Sequence, residues 1–327
     1  MSVDSNSIRV GLDISNNWVD VCLLEGEGRQ QWRVERDAES LAELTKQLLA
    51  KGVTQVVLEA SGGLERLVVE VLHAAGIGCA VINPRRVRDF AKATGLLAKT
   101  DRLDAYVLAL YGRQIEPPVR PPAEPQRRLL LDLLLRLQQL VKMRAGERNR
   151  LRRAQQKACE ASCVRVIEWL SEEIELLESQ IASLVQQCEA WQDREKLLRS
   201  APGVGTKTVW SLLAQLPELG LLDNKPIASL AGLAPFARDS GQYRGQRRIS
   251  GGRRLVRQML YMAARTAIRC DLGWRSFYNR LLARGKPPKV ALIAVARKLL
   301  VALNAMLRDQ QPWCSPLSPE SSAPLSA

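Results

Sequence analysis

Short apolar runs separated by polar turns occupy residues 8–82, and apolar residues at helical spacing follow further along the chain. The runs predict a strand meander, then helix, strand, helix and strand. Their positions are Ile8–Ile14, Trp18–Leu24 and Gln30–Val34 for the meander, then Leu41–Leu49, Val53–Leu58, Leu64–Ala75 and Gly78–Ile82. We therefore expect a mixed α/β domain at the start of the chain.

The rest of the chain is predicted to be helical. Four prolines within residues 117–122 predict a stiff, extended linker, because proline fixes the backbone φ angle. Beyond it, apolar residues recur at alternating steps of three and four, which predicts a coiled-coil seam. The helical arms could pair within one chain or between chains, and assembly of subunits is the expected use of the seam. The seam residues are Ile167, Leu170, Ile174, Leu177, Ile181, Leu184, Cys188 and Trp191. Residues 226–308 are helical in pattern apart from a polar interruption at 237–248.

These patterns predict the fold class α/β plus all-α, with the first part in the element order of an RNase H-like domain. The expected organisation is an α/β domain at 1–116, a linker at 117–125 and a coiled-coil region at 126–196. A helical C-terminal domain at 197–310 and a Pro- and Ser-rich disordered tail at 311–327 complete it.

Charge narrows the choice of partner. The 327 residues contain 48 Lys and Arg against 34 Asp and Glu, a net charge of +14, which favours nucleic acid as the partner. No uncharged apolar stretch of membrane-spanning length and no secretion signal is apparent, so we expect no membrane partner. Seven scattered cysteines without a Cys-x-x-Cys pair indicate a reducing compartment. His73 is the only histidine, which favours metal-assisted chemistry over a histidine base.

Four carboxylates are the candidate catalytic residues. Asp13 and Glu59 end two predicted strands, and Asp101 and Asp104 lie three apart, on one face of a predicted helix. Oxygen ligands of this kind suit hard cations, so convergence of the four would create a Mg²⁺ site. The alternative for the helical pair is a solvated surface.

Basic segments supply candidate nucleic-acid contacts, although each is also compatible with a solvated surface. They are Arg85, Arg86, Arg88, Lys92 and Lys99; Arg148, Arg152 and Arg153; and Arg238, Arg244, Arg247, Arg248, Arg253 and Arg254. The Pro202-Gly203-Val204-Gly205 turn, with Lys207, resembles the helix-hairpin-helix motif that binds DNA phosphates. Ser240 lies in the densest cationic segment, and composition alone makes it a turn residue.

Eight short motifs occur in order along the chain. They are Gly11-Leu12-Asp13-Ile14, Leu58-Glu59-Ala60-Ser61-Gly62, Val81-Ile82-Asn83-Pro84, Lys99-Thr100-Asp101-Arg102-Leu103-Asp104-Ala105, Pro202-Gly203-Val204-Gly205, Ala231-Gly232-Leu233-Ala234-Pro235, Asp239-Ser240-Gly241 and Arg253-Arg254-Leu255. In these motifs the chain resembles the IS-one-ten (IS110) family of bacterial insertion-sequence transposases, which includes Piv-type DNA invertases. The resemblance runs from about residue 8 to about residue 308.

The resemblance implies a RuvC-like domain whose DEDD quartet is Asp13, Glu59, Asp101 and Asp104, and a serine nucleophile at Ser240. It also implies donor and target DNA, a bridge RNA, a dimer or tetramer, and action on DNA in the bacterial cytoplasm. The expected activity is Mg²⁺-dependent, site-specific recombination through a 5′-phosphoserine. A junction-resolving nuclease that uses water, a non-catalytic nucleic-acid-binding protein, and Tyr243 as the nucleophile stay open as alternatives.

Overall fold

The structure, a computed structural model, describes residues 8–96, 100–237, 239–241, 243–245 and 247–314; within these, the side chains of Asp101, Arg102 and Arg244 are outside the description. The predicted disordered tail, 311–327, is described only at 311–314, and there the prediction is wrong, because Trp313 stacks on Trp274 with 5.6 Å between ring centroids and its amide donates to Ser200 Oγ over 2.8 Å. The rest of the tail, from residue 315 onward, lies outside the described residues. The chain forms two compact units, Met1–Ala123 and Glu124–Ala327.

The first unit is built on a five-stranded sheet in the order β3-β2-β1-β4-β5. Its strands are β1 (Arg9–Ile14), β2 (Trp18–Glu25), β3 (Gly28–Glu35), β4 (Gln55–Glu59) and β5 (Gly78–Ile82). The first three strands pair antiparallel as a meander, and β4 and β5 extend the sheet in parallel. The predicted mixed α/β fold class and its element order are confirmed.

Helices cover both faces of this sheet. On one face, α1 (Ala38–Ala50) and α2 (Glu65–Ala74) pack on residues such as Leu12 and Leu58. On the other face, α3 (Pro84–Ala93) and α4 (Asp101–Ile115) pack on Val57 and Ala80. Because side chains alternate along a strand, the odd-numbered residues of β1 and β4 face α4.

The first residues of the proline segment, which is the predicted linker, pack along the first unit. The side-chain amide of Gln55 donates to the carbonyl of Pro117 over 2.8 Å. Val119 fills the space above Gly78, where an added Cβ would lie 2.8 Å from a Val119 methyl group. The division between the two units follows at Ala123, within the predicted linker range.

The second unit begins with two long helices, α5 (Pro125–Leu151) and α6 (Lys157–Gln186), which pack against each other within the chain. Leu134 and Leu137 of α5 share an apolar core with Leu170 and Ile174 of α6. Further out, a guanidinium nitrogen of Arg144 donates to Ser171 Oγ over 3.0 Å.

The predicted seam is not one continuous helix. α6 ends at Gln186, Cys188 is the N-cap of α7 (Glu189–Arg199), and Trp191 belongs to α7. Residues on both sides of this break pack into the same core, so apolar spacing alone could not reveal it.

The remaining helices are α8 (Thr206–Gln215), α9 (Asn224–Leu230), α10 (Arg254–Cys270), α11 (Leu272–Ala283) and α12 (Pro288–Asp309). Helix α12 packs against α7, α9, α10 and α11, and α8 packs against α5, α7 and α10. Among the described helices, α12 alone is long and apolar enough to cross a membrane. More than half of its apolar window is buried, and Val295, Leu299 and Leu303 lie in the core of the unit, as expected of a core helix.

The polar interruption between α9 and α10 contains two short antiparallel ladders. In one, β6 (Pro235–Phe236) pairs with β9 (Arg248–Ile249). In the other, β7 (Asp239–Ser240) pairs with β8 (Tyr243–Arg244). Sequence pattern predicted the break in helical spacing here but not the strand pairing.

Candidate active site

Asp13 and Glu59 lie at the same edge of the sheet. The parallel pairing of β1 with β4 aligns Gly11 with Val57 and Leu12 with Leu58, so Asp13 and Glu59 follow as the next aligned positions. Both are partly buried and, by strand alternation, both face α4. Two of the four predicted carboxylates therefore stand side by side on one face.

Helix α4 crosses this face with its backbone almost against β1. A Cβ placed at Gly11 would lie 2.2 Å from the carbonyl oxygen of Ala105 and 2.3 Å from the amide nitrogen of Ala109. A Cβ placed at Gly112, near the other end of α4, would meet Val57 at 2.9 Å and Arg9 at 3.9 Å. The helix thus runs antiparallel to β1, and its first turn points toward Asp13.

That first turn carries the other two predicted carboxylates. Asp101 is the first residue of α4, and Asp104 is partly buried one turn further along. The hydroxyl of Thr100 caps the helix by accepting from the Leu103 amide, and the Thr100 carbonyl accepts from the Asp104 amide over 2.9 Å. Acidic residues at a helix N-terminus are stabilised by the helix dipole, which lowers the cost of clustering them here.

The loop after Glu59 is fixed by another carboxylate. Glu65 accepts hydrogen bonds from the amides of Ser61 and Gly63 over 3.0 and 2.8 Å. The hydroxyl of Ser61 donates to the carbonyl of Glu59 over 3.1 Å. These contacts hold the end of β4 in place.

One charged residue beside this site escaped sequence reasoning. Asp20 pairs directly across from Asp13 in the sheet and is 3% exposed. Arg33, opposite Asp20 on β3, binds its carboxylate with two hydrogen bonds of 3.1 and 2.8 Å. A lone aspartate inside the apolar run Val19–Leu24 was the available signal, because a buried charge requires a partner.

The predicted basic residues near this edge lie mainly on α3. Arg85, Arg86, Arg88 and Lys92 are all exposed, and Arg85, Arg88 and Lys92 share one face by their spacing. Arg85 contacts Asp89 at 3.8 Å, within the helix. Residues 97–99, including Lys99, lie outside the described residues.

In the second unit, Arg148, Arg152 and Arg153 are exposed where α5 ends. The predicted phosphate-binding turn lies between α7 and α8. There Gly203 has a φ of +80°, and an added Cβ would lie 2.4 Å from the amide nitrogen of Ala267. Gly203 therefore serves close packing against α10.

The two other residues singled out at this turn differ in setting. Gly205 is the exposed N-cap of α8. The ammonium of Lys207 is paired with Glu178 of α6, so its predicted contact with a phosphate would require exchange of that partner.

Ser240 is exposed next to a tight hairpin turn. It pairs with Tyr243 across the β7–β8 ladder, and Gly241, which follows it, has a φ of +54°. Positive φ is the conformation that two-residue hairpin loops require. Ser240 belongs to the second unit and the carboxylates to the first.

The arginines around Ser240 have different environments. Arg247, Arg248 and Arg254 are exposed, whereas Arg253 binds Glu218 through two nitrogens and also the carbonyl of Gln215 over 2.8 Å. Arg253 thus fastens the start of α10 to the end of α8. Arg238, Gln246 and the side chain of Arg244 are outside the described residues.

The donor set at the sheet edge suits a hard cation, since every candidate ligand is a carboxylate oxygen. Within the described part of the chain, no three His, Cys, Asp or Glu residues form a group able to hold a metal ion. The side chain of Asp101 is not among the described side chains, so this statement does not cover it. The chemistry of the residues therefore fits Mg²⁺, while the described side chains do not by themselves form a complete cage.

Two family descriptions match the chain. A transposase family model for the DEDD proteins of IS110 matches residues 10–159, and the model for the IS116/IS110/IS902 transposase family matches residues 195–279. Together they span more than half of the chain. The chain belongs to the IS110 family of transposases.

Relatives of this IS110-family transposase are similar over different lengths. A pilin gene-inverting protein of Moraxella bovis is 27% identical over 315 residues, which is 93% of this chain and 97% of the relative. An IS110 insertion-element protein of Streptomyces coelicolor is 34% identical over 135 residues, covering 41% of this chain and 32% of the relative. A RuvC structure from Thermus thermophilus aligns with 35% of this chain and all of its own, at 15% identity and a TM-score of 0.28.

Family membership establishes the general activity. This transposase is an enzyme of DNA recombination and transposition that cleaves and rejoins DNA strands. DNA is accordingly its partner.

Proposed function

We propose that this transposase is a Mg²⁺-dependent, site-specific recombinase that cuts and rejoins DNA through a covalent 5′-phosphoserine on Ser240. The observation that carries the proposal is the alignment of Asp13 with Glu59 under the first turn of α4. The exposure of Ser240 beside a hairpin turn supports its role, because a nucleophile must reach a phosphate on a large substrate.

Asp13, Glu59, Asp101 and Asp104 would hold the divalent cation. When bound, such a cation neutralises charge on phosphate oxygens and assists ionisation of a hydroxyl. The backbone contact between Gly11 and α4 then sets the spacing of the carboxylates.

Ser240 supplies the nucleophile. Its Oγ attacks the scissile phosphorus, a bond forms between Oγ and phosphorus, and the bond to the 3′ oxygen breaks. The proton lost by the serine ends on the departing 3′ hydroxyl. In the second step a 3′ hydroxyl from the partner strand attacks the phosphoserine and restores Ser240. The number of phosphodiester bonds is conserved, so no ATP is required.

A bridge RNA is the proposed guide, gripped through its phosphates. The exposed cationic face of α3, formed by Arg85, Arg88 and Lys92, supports this role, as do Arg148 and Arg152 at the end of α5. Such contacts recognise the RNA backbone and shape, while base pairing selects the DNA.

Homo-oligomer formation through the long helices is also proposed. Much of the predicted seam is used within the chain, but Val166, Trp169 and Leu176 form an exposed apolar stripe on α6 at steps of three and seven. Trp169, half exposed, is the natural anchor. We expect Trp169→Glu to lower the oligomer mass in sedimentation, and an unchanged mass would place the interface elsewhere.

We propose that recombination takes place in the bacterial cytoplasm, on nucleoid DNA. None of the seven cysteines, all of which lie in the described part of the chain, forms a disulfide, which accords with a reducing compartment. Full-length similarity to a pilin gene-inverting protein supports a rearrangement of defined DNA segments.

Trapping of the covalent adduct tests the proposal. Protein purified with its RNA is mixed with labelled matching DNA and Mg²⁺, then separated on a denaturing gel. We expect a labelled band at the mass of the protein that disappears in Ser240→Ala and in Asp104→Asn. The matched controls are Ser250→Ala, at another exposed serine of the same segment, and Asp193→Asn, in an exposed ion pair of α7.

The alternatives predict different gels. Cleaved DNA without an adduct, unchanged in Ser240→Ala, would show a nuclease that uses water. An adduct that persists in Ser240→Ala and maps to Tyr243 would show a tyrosine nucleophile. Binding without cleavage under any metal, unaffected by Asp104→Asn, would show a non-catalytic protein.

A further inference from the structure

A cleft of about 980 Å³ in the second unit lies next to the ribbon that carries Ser240. The apolar side chains that line it, which we call the floor, are Leu233, Ile249, Val290, Ile293 and Ala294. Val290 is half exposed to solvent, although it stands on a helix whose other apolar residues are largely buried. The volume of the cleft lies at the upper end of the range for ligand pockets, about 300–1,000 Å³.

The charged side chains that line the cleft, which we call the rim, are all cationic. Five of the described residues that line it are basic and none is acidic; the five are Arg247, Arg248, Lys286, Lys289 and Arg297. None of the five forms an ion pair with another described residue. An apolar floor inside a ring of uncompensated positive charge fits a ligand that is flat and apolar at its centre and anionic at its edges.

The cleft is physically close to the proposed nucleophile. Pro235 and Ile249, which are paired in the β6–β9 ladder, both line the cleft. Ser240 follows Pro235 by five residues, and five fully extended residues span at most about 18 Å. A stacked DNA strand advances by about 3.4 Å per nucleotide, so the cleft lies within about five nucleotides of a phosphate at Ser240.

Duplex DNA cannot account for the apolar floor, because its bases are stacked inside and it presents phosphates to a surface. An unpaired nucleotide can account for both parts. Its base offers flat apolar faces for a pocket, and its phosphates reach the cations on the rim. Resting on the function proposed above, we propose that the cleft holds an unpaired nucleobase of the DNA strand that Ser240 attacks.

The test measures binding without chemistry. Full-length protein carrying Ser240→Ala is titrated with a 15-nucleotide single-stranded DNA that contains 2-aminopurine, whose fluorescence reports unstacking, and with the duplex of the same sequence. Ala294→Trp fills the floor of the cleft. Val290→Asp, at an exposed position that folding tolerates, places a negative charge there.

We expect each variant to weaken single-strand binding about tenfold and to abolish the fluorescence change, with duplex binding altered less than twofold. The control is Leu221→Trp, which adds the same side chain at an 80% exposed leucine away from the cleft. Equal loss for single strand and duplex would overturn the proposal in favour of a phosphate track. The same titration is made with a single-stranded RNA of the same sequence. Weaker binding of the RNA by the variants, with DNA binding unchanged, would overturn the proposal in favour of an RNA nucleobase in the cleft.

Unchanged binding by both variants would overturn the proposal directly. The outcome is separable from that of the covalent mechanism, because the binding variants are measured in a protein without the nucleophile. A normal serine adduct combined with an ineffective Ala294→Trp refutes the nucleobase cleft alone. An absent adduct combined with the expected binding loss refutes the covalent mechanism alone.

Discussion

The contact between β1 and α4 allows a sharp test of how this transposase builds its acidic site. In Gly11→Ala, the new Cβ would lie 2.2 Å from the Ala105 carbonyl oxygen and 2.3 Å from the Ala109 amide nitrogen. Real Cβ contacts essentially never fall below 3.0 Å, so α4 must retreat by about 0.8 Å, the difference between 3.0 and 2.2 Å. Both obstructing atoms belong to the helix backbone, so no side-chain rotation can relieve the clash.

The energetic cost follows from that geometry. Overpacking a core typically costs about 1–3 kcal/mol, and a clash with backbone atoms lies at the upper end. Replacing glycine by alanine within a strand returns roughly 0.5–1 kcal/mol through the unfolded chain. We therefore expect Gly11→Ala to lower the free energy of unfolding by about 2 kcal/mol, as measured by chemical denaturation.

The functional cost should exceed the loss of stability. A displacement of α4 moves Asp104 away from Asp13 and Glu59, and a misplacement of about 1 Å can cost roughly 10²-fold in rate. We expect recombination between a donor and a target plasmid to fall by about that factor while DNA binding persists. A loss of about 2 kcal/mol leaves a protein of ordinary stability folded, so unfolding would not explain the result.

Gly146→Ala is the matched control. Gly146 lies within α5, where an added Cβ meets only an Arg150 guanidinium nitrogen at 3.7 Å. This change should stabilise the helix by up to about 1 kcal/mol and leave recombination intact. Wild-type stability and wild-type recombination in Gly11→Ala would refute the backbone-to-backbone packing of α4 on β1.

Three further predictions concern the same unit. Thr100→Ala removes the cap of α4 and should lower the free energy of unfolding by about 1 kcal/mol and reduce recombination. Thr100→Ser keeps a capping hydroxyl and should retain both stability and recombination. Equal behaviour of the two variants would show that the cap has no role. Arg33→Met leaves the Asp20 carboxylate buried without its cation. Because Arg33 is itself 44% exposed, the free energy of unfolding should fall by about 2 kcal/mol, less than the 3–5 kcal/mol typical of fully buried pairs. Chemical denaturation of the Arg33→Met/Asp20→Leu double variant should show that most of this stability is recovered. Burial raises the pKa of the Cys79 thiol to about 12, so native protein at pH 8 should alkylate at exposed Cys159 and not at Cys79, and rapid labelling of Cys79 would contradict its burial.

The strands and most of the helices could be predicted because their signals are local. The run Arg9–Ile14 alternates in polarity, and the leucines of α1 recur at helical spacing, so each element is identified within its own residues. The end of α6 could not be predicted in this way. Cys188 continues the apolar spacing although the backbone leaves the helix there. Trp191 of the next helix packs against the same core as Ile181 and Leu184 of α6, so the spacing continues across the break.

Some residues of the candidate site could also be predicted from local signals, and others could not. Asp13 and Glu59 could be predicted as partners because parallel strands bring their carboxyl ends to one edge, and the register of β1 with β4 accords with that expectation. Asp20 is visible as a lone aspartate in an apolar run, but its partner could not be predicted, because Arg33 is thirteen residues away on a neighbouring strand. Whether a buried charge has a partner depends on how the strands pair in the sheet, and this pairing cannot be read from a single sequence.

Gly11 unites the two kinds of information. In the sequence it begins the Gly11-Leu12-Asp13-Ile14 motif, but nothing in that run indicates that a helix backbone packs against it. In the fold it is the position at which the backbone of α4 touches the sheet, two residues before Asp13 on the same face. Because glycine has no Cβ at this position, α4 can pack close to β1. The distance between Asp104 and Asp13 therefore depends on Gly11 as well as on the carboxylates themselves.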